Sequence, residues 1–132
     1  VIPGLISKFH KAAIAGDDSV TLWGSGKALR EFIYVDDLAR AIMDLLEKPG
    51  APDIVNIGSG DEISIAQLAQ KVKATVGFLG EVDWDKTMPD GTPRKALDSS
   101  LIKSWGWRPT ITLEEGLKLT YQWYLENAAV RR

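Results

Sequence analysis

Apolar residues recur along this chain at two spacings, and the switches between them lay out its elements. In the opening stretch "VIPGLISKFHKAAIAG", Leu5, Ile6, Phe9 and Ala13 share one face of a helix running to about Ala15, with Pro3 near its first turn and Gly16 as its stop. "SVTLW" at 19–23 reads as a short strand, and "GSG" at 24–26 as a tight turn after it. "REFIYV" leads into a second helix, "DDLARAIMDLLEKPG", which Asp36 is placed to cap; Leu38, Ile42, Leu45 and Leu46 form its apolar stripe, and Pro49 and Gly50 end it. The apolar run "DIVNIGSG" at 53–60 suits a buried parallel strand. "SIAQ" at 64–67 is a capping box that opens a third helix, with Ile65, Leu68, Ala69 and Val72 spaced to pack on a sheet and Gly77 as its stop. "EVDWD" at 81–85 is one more strand, the loop "MPDGTPRK" follows, and "DSSLIKSWGW" at 98–107 holds a short helix closed by Gly106. A second capping box, "TLEE" at 112–115, opens the last helix through "GLKLTYQWYLEN".

Strands alternating with helices predict an α/β fold with crossover connections and a parallel element. The strands are few and short, and a sheet that small leaves edges uncovered, which points to a lobe that completes a larger domain. A chain that opens at Val1 directly in a helix fits the same expectation of a piece of something longer.

Bulk composition narrows the function classes. The 132 residues are one domain's worth of chain. A formal net charge of -2 provides no global basic field for nucleic acid or an anionic membrane, so any anion must be met by a few placed cations. No apolar run approaches the roughly 20 residues that cross a bilayer. Cysteine is absent, which excludes disulfides, thiolate metal sites and cysteine nucleophiles within these residues and fits a cytoplasmic setting weakly.

Both "GSG" stretches fall short of a dinucleotide fingerprint, because the sixth position, which must be small for close helix–strand packing, is Leu29 in one and Ile63 in the other. His10, the single histidine, sits on a helix without a ligand companion and reads as a solvated position. Asp36 and Asp37 stand where carboxylates favour a helix N-terminus, a structural reading rather than an acid–base pair. Two other stretches carry more. In "LWGSGKALREF" (22–32), Trp23 offers a flat face for a base or sugar, and Arg30, across a glycine turn, offers a forked donor for phosphate; a core tryptophan with a surface arginine fits the same spacing. In "MPDGTPRKALD" (88–98), Pro89 and Pro93 restrict the loop, Asp90 supplies an acceptor and Lys95 a point charge; a surface turn is the simpler account from composition alone.

Taken in order with "VIPGLISKFH", "NIGSG" and "TYQWYLEN", these two stretches resemble the extended short-chain dehydrogenase/reductase family, in its NADPH-dependent GDP-4-keto-6-deoxymannose 3,5-epimerase/4-reductase branch. "REFIYVDDLA" alone marks the wider family of nucleotide-sugar enzymes; "PDGTPRK" and "TYQWYLEN" narrow it. The resemblance implies that residues 1–132 are the C-terminal, substrate-binding lobe of such an enzyme, with the NADP(H)-binding Rossmann part and the Ser/Tyr/Lys catalytic set upstream, and no catalytic residue here. It further implies GDP-4-keto-6-deoxymannose and GDP-L-fucose as ligands, contacted by Lys8, Trp23, Arg30, Asp90 and Lys95, with 88–98 as a ligand-closing loop facing Trp23 and Arg30. Lys8 departs from the arginine of some members, which keeps charge and loses the fork. A cytoplasmic homodimer is implied too. The alternatives are another extended-family nucleotide-sugar epimerase, dehydratase or reductase, and a non-catalytic nucleotide-binding α/β domain.

Overall fold

The computed structural model describes residues 1–127. Helix α1 (Ile2–Ala15) carries Pro3 in its first turn, where a missing N–H costs nothing, and ends on Gly16 in the left-handed conformation. Strand β1 (Ser19–Trp23) turns Val20 and Leu22 inward and its other side chains to solvent, the period of two that a pleated strand dictates. A short strand β2 (Leu29–Glu31) and helix α2 (Val35–Leu46) follow. Strand β3 (Glu62–Ser64) runs straight into helix α3 (Ile65–Val76), whose capping box forms in full: Ser64 Oγ accepts from the Gln67 N–H at 3.1 Å, and Gln67 Oε1 accepts from the Ser64 N–H at 3.1 Å. Strand β4 (Glu81–Asp85), the two-residue strand β5 (Arg94–Lys95), helix α4 (Ser100–Ser104) and helix α5 (Leu113–Asn127) complete the order. Thr112 Oγ1 accepts from the Glu115 N–H at 3.2 Å, as the second predicted box requires.

The strands form two small sheets. β1 and β4 run parallel, Ser19 opposite Glu81 through Trp23 opposite Asp85. In the other, β2 lies between antiparallel β3 and parallel β5. Leu5, Ile6, Phe9 and Ala12 of α1, Val20 and Leu22 of β1, Leu68, Ala69 and Val72 of α3, Phe78, and Leu117 of α5 form the main core. A second cluster gathers Ala41, Ile102 and Trp107 against Ile33, Leu45, Val55 and Ile57. The α/β expectation, with few short strands and packed helices, describes this architecture.

Several local expectations need correction. Ala12, not Ala13, is the buried alanine of α1, packed with Leu5, Ile6 and Phe9 in the core. On α2, Ala41 is fully buried whereas Ile42 and Leu46 are exposed, since no described element covers their side. Asp36 does not cap α2. Tyr34 takes the N-cap position, and the neighbouring Asp37 turns inward. Its carboxylate accepts from the Thr110 and Ile111 amides at 3.0 and 2.8 Å, the Thr110 hydroxyl at 2.9 Å and Arg40 Nη2 at 2.7 Å, fastening α2 to the segment before α5. Burial, the largest single influence on this carboxyl, opposes ionisation; the Ile111 and Thr110 amides, the Thr110 hydroxyl and Arg40 together outweigh it and hold the pKa below the ordinary value.

Residues 53–60 form no strand, and Ile54 is 84% exposed. Strand geometry persists only where a neighbour takes up its N–H and C=O groups, and no described strand runs alongside. His10 is not a solvated position either: half-buried between α1 and α5, its Nδ1 lies 3.0 Å from the Tyr121 hydroxyl, and its ring meets Tyr121 and Tyr124 edge-on. No helix among the described residues is long and apolar enough to cross a membrane.

Candidate functional site

The site grows from the end of β1. Trp23 closes that strand with its indole 69% exposed, the opposite of a core tryptophan. The chain then turns through Gly24, Ser25 and Gly26, and the turn is pinned from outside by Asp90: its carboxylate accepts from the Ser25 amide and the Ser25 hydroxyl, both at 2.6 Å. Gly24 has φ +79°, and a Cβ there would also collide with the Asp90 carboxylate, so both backbone and space require glycine. Hydrogen bonds from the Ser25 hydroxyl and then its amide favour the charged form of Asp90 and hold its pKa below the ordinary carboxylate value.

From Asp90 the loop runs along β2. The Leu29 N–H donates to Pro93 O at 2.8 Å, and β5 then pairs in parallel with β2, placing Leu29 beside Arg94 and Arg30 beside Lys95. Paired residues on neighbouring strands project from the same face of a sheet, with strands about 4.8 Å apart. Arg30 is half-buried and donates through Nη1 to Leu29 O at 2.6 Å; a Cβ on Gly91 would lie 3.2 Å from its Nη2. On the other side of Trp23, Lys8 Nζ sits 6.0 Å from the ring centroid and donates to Thr21 O at 3.3 Å.

The structure therefore links the five predicted residues in steps along the backbone. Lys8 reaches Trp23, the turn after Trp23 holds Asp90, and the loop beyond Asp90 carries Lys95 to Arg30. The ion pairs among the described residues are Arg40–Asp37, Lys71–Glu114 and Arg94–Glu62, so Lys8, Arg30 and Lys95 have no carboxylate of their own. Like charges side by side on adjacent strands repel.

A cavity of about 700 Å³ opens beside this sheet, lined by Glu31, Ile33, Ile57, Gly58 and residues 94–97. Of the five predicted residues only Lys95 lines it. Glu31 and Arg94 also line this cavity, and Ser25 holds Asp90; of these three, Glu31 and Ser25 were not among the residues singled out from the sequence. For Glu31 the one trace in the sequence is the second "GSG", whose first glycine lies so close to Glu31 that a Cβ would collide with the carboxylate.

The space beside Gly24 and Gly26 is taken by Asp90, Trp84 and Ala66, and that beside Gly58 and Gly60 by Glu31 and Lys103. Among the described residues no group of histidine, aspartate or glutamate is placed to hold a metal ion.

A model of the NAD dependent epimerase/dehydratase family matches residues 1–58. GDP-L-fucose synthase 1 of Arabidopsis thaliana is 50% identical over 131 residues, 99% of this chain and 41% of that protein. The Escherichia coli K12 GDP-L-fucose synthase is 42% identical across 96% of this chain and 42% of its own length. Among solved structures, a GDP-L-fucose synthetase from Naegleria fowleri bound to NADP superposes with a TM-score of 0.84 at 32% identity, covering 98% of this chain and 41% of that one. The chain thus spans about two-fifths of the length of the curated relatives it matches. On these comparisons, the chain is similar to the NAD dependent epimerase/dehydratase family over residues 1–58 and, over nearly its whole length, to the C-terminal part of the GDP-L-fucose synthases.

Proposed function

We propose that these residues are the substrate-binding lobe of an NADPH-dependent GDP-4-keto-6-deoxymannose 3,5-epimerase/4-reductase, with the catalytic groups and the NADP(H) site on a part of the polypeptide outside them. The observation that carries this reading is the pairing of Arg30 with Lys95 on adjacent strands, two cations without carboxylate partners among the described residues. A GDP-sugar fits that arrangement: a diphosphate for the cations and flat or hydroxylated groups for the indole.

Each residue then has a physical task. Arg30 presents a fork of donors to a phosphate, while Lys95 and Lys8 act as point charges. Trp23 gives a flat apolar face to base or sugar. Asp90 holds the 88–93 loop against the turn through Ser25 and keeps lone pairs on both oxygens for a ligand hydroxyl. When bound, NADPH supplies the hydride that reduces the 4-keto group. The lobe's own contribution is to fix the nucleotide end while the sugar is turned over, so that reacting atoms meet in a set geometry. A cytoplasmic, homodimeric enzyme accompanies this reading, with size-exclusion chromatography as the check on the dimer.

The test is calorimetric titration of the full-length protein. GDP-sugars should bind in preference to UDP- and dTDP-sugars, and Trp23→Ala and Lys95→Ala should each weaken GDP-sugar binding about tenfold, the first by losing an apolar stacking face and the second a contact to a charged group. A preference for UDP- or dTDP-sugars would move the chain to another nucleotide-sugar enzyme. Unchanged affinity in both variants would remove the pocket.

A further inference from the structure

Glu31 stands at the end of β2, next to Arg30, and its register partner on β3 is Glu62. Two carboxylates directly opposite each other repel, and each has found different partners. Glu62 takes Arg94 as an ion pair at 2.8 Å. Glu31 takes no cation among the described residues; Oε1 accepts from the Gly60 amide at 2.6 Å and the Ser59 hydroxyl at 3.5 Å, and Oε2 accepts from the Leu97 amide at 3.1 Å.

Those donors lie on two segments without regular secondary structure, 58–60 and the chain just after β5. Such segments have no ladder of their own to hold them, so a buried or half-buried side-chain acceptor decides where they lie. Glu31 is half-buried, and a Cβ on Gly58 would collide with its carboxylate, which gives the first glycine of "NIGSG" a purpose. Asn56 Nδ2, donating to Asp98 O at 3.2 Å, makes a second, weaker tie between the same two segments. β5 is only two residues long, so the Leu97 amide is the next anchor after Lys95. The two segments are also walls of the cavity of about 700 Å³ that Lys95 lines.

We propose that Glu31 is a positioning residue for the GDP-sugar site: its carboxylate latches the 58–60 turn to the segment after β5 and thereby sets Lys95 at the cavity wall beside Arg30. This rests on the substrate reading given above. Glu31 need not touch the ligand; it acts through the place it gives Lys95.

The experiment uses the full-length enzyme. Glu31→Gln swaps one acceptor oxygen for an N–H₂ group that faces an amide donor, so at least one tie is lost. Glu31→Asp keeps the charge but is one methylene too short to reach both segments. Both variants should raise KM for the GDP-sugar about tenfold while kcat and KM for NADPH stay within twofold, and hydrogen exchange should quicken at Gly60 and Leu97. Gly58→Ala, which displaces the carboxylate sterically, should reproduce the KM rise with Glu31 intact. A wild-type KM in Glu31→Gln together with faster exchange at those amides overturns the positioning role, because the latch is then structural only. A full rescue by Glu31→Asp overturns it as well, since charge rather than reach would be at work. Should Glu31→Gln fold poorly, Gly58→Ala carries the same test, and its wild-type KM would overturn the proposal. Failure of the substrate reading looks different: it appears in the unsubstituted enzyme, as absence of GDP-sugar binding.

Discussion

At Arg30, replacement by lysine keeps the charge and removes the fork. If two parallel donors meet a phosphate there, Arg30→Lys should weaken GDP-sugar binding about tenfold in titration of the full-length protein, with the thermal midpoint unchanged. Wild-type affinity would leave Arg30 a purely structural role at its Leu29 contact. Asp37 poses the opposite case, a buried carboxylate that serves the fold. Its pKa is held below the ordinary value, so its contribution to stability is fully present above the unfolded-state value and lost as pH falls through the folded one. Asp37→Asn should therefore flatten the acid limb of the stability–pH curve. It should also cost about 2–4 kcal/mol at neutral pH, since one oxygen can still serve the Thr110 and Ile111 amides but the amide nitrogen in place of Oδ1 cannot accept from Arg40 Nη2 and the Thr110 hydroxyl. An unchanged acid limb would show that this carboxyl does not govern it.

At the scale of elements, the helices explain themselves locally. α3 starts on a capping box and stops on Gly77 at φ +80°, both legible from residues within a few positions of each end. Ser64→Ala should lower stability by about 1 kcal/mol, read as a small drop in thermal midpoint, with ligand affinity unchanged. The turn after β1 should behave differently. Gly24→Ala meets a positive φ and the Asp90 carboxylate together, so it should cost about 1–3 kcal/mol and also release the 88–93 loop, seen as faster proteolysis there. A stable variant with a protected loop would show that the Ser25–Asp90 tie is not what holds it. The run at 53–60 misled because its composition suits a strand while no partner strand is present among the described residues. The same dependence on neighbours left Ile42 and Leu46 exposed within an otherwise regular stripe.

Across the whole molecule, two small sheets are held by helices whose core centres on α1, α3 and Phe78. Phe9, fully buried against Phe78 at a ring-centroid distance of 5.7 Å, should be the costliest apolar truncation: Phe9→Ala is expected to lose about 3–5 kcal/mol in denaturant unfolding. A loss below about 1 kcal/mol would mean that this core is not what stabilises the lobe. The sequence by itself determined the positions of the helices, the cap and stop of α3, β1 and β4, the absence of cysteine chemistry, and the resemblance carried by "REFIYVDDLA" and "PDGTPRK". Those features depend on hydrogen bonds and spacings within a few residues, or on the order of letters alone. Tertiary structure alone decided that Arg30 lies beside Lys95, that Asp90 closes onto Ser25, that His10 turns to Tyr121, and that Glu31 joins two segments remote from it in sequence. Each of these joins groups from 29 to 111 positions apart, and such partners are chosen by which backbone donors and strand edges the folded core brings within reach, information no local pattern carries.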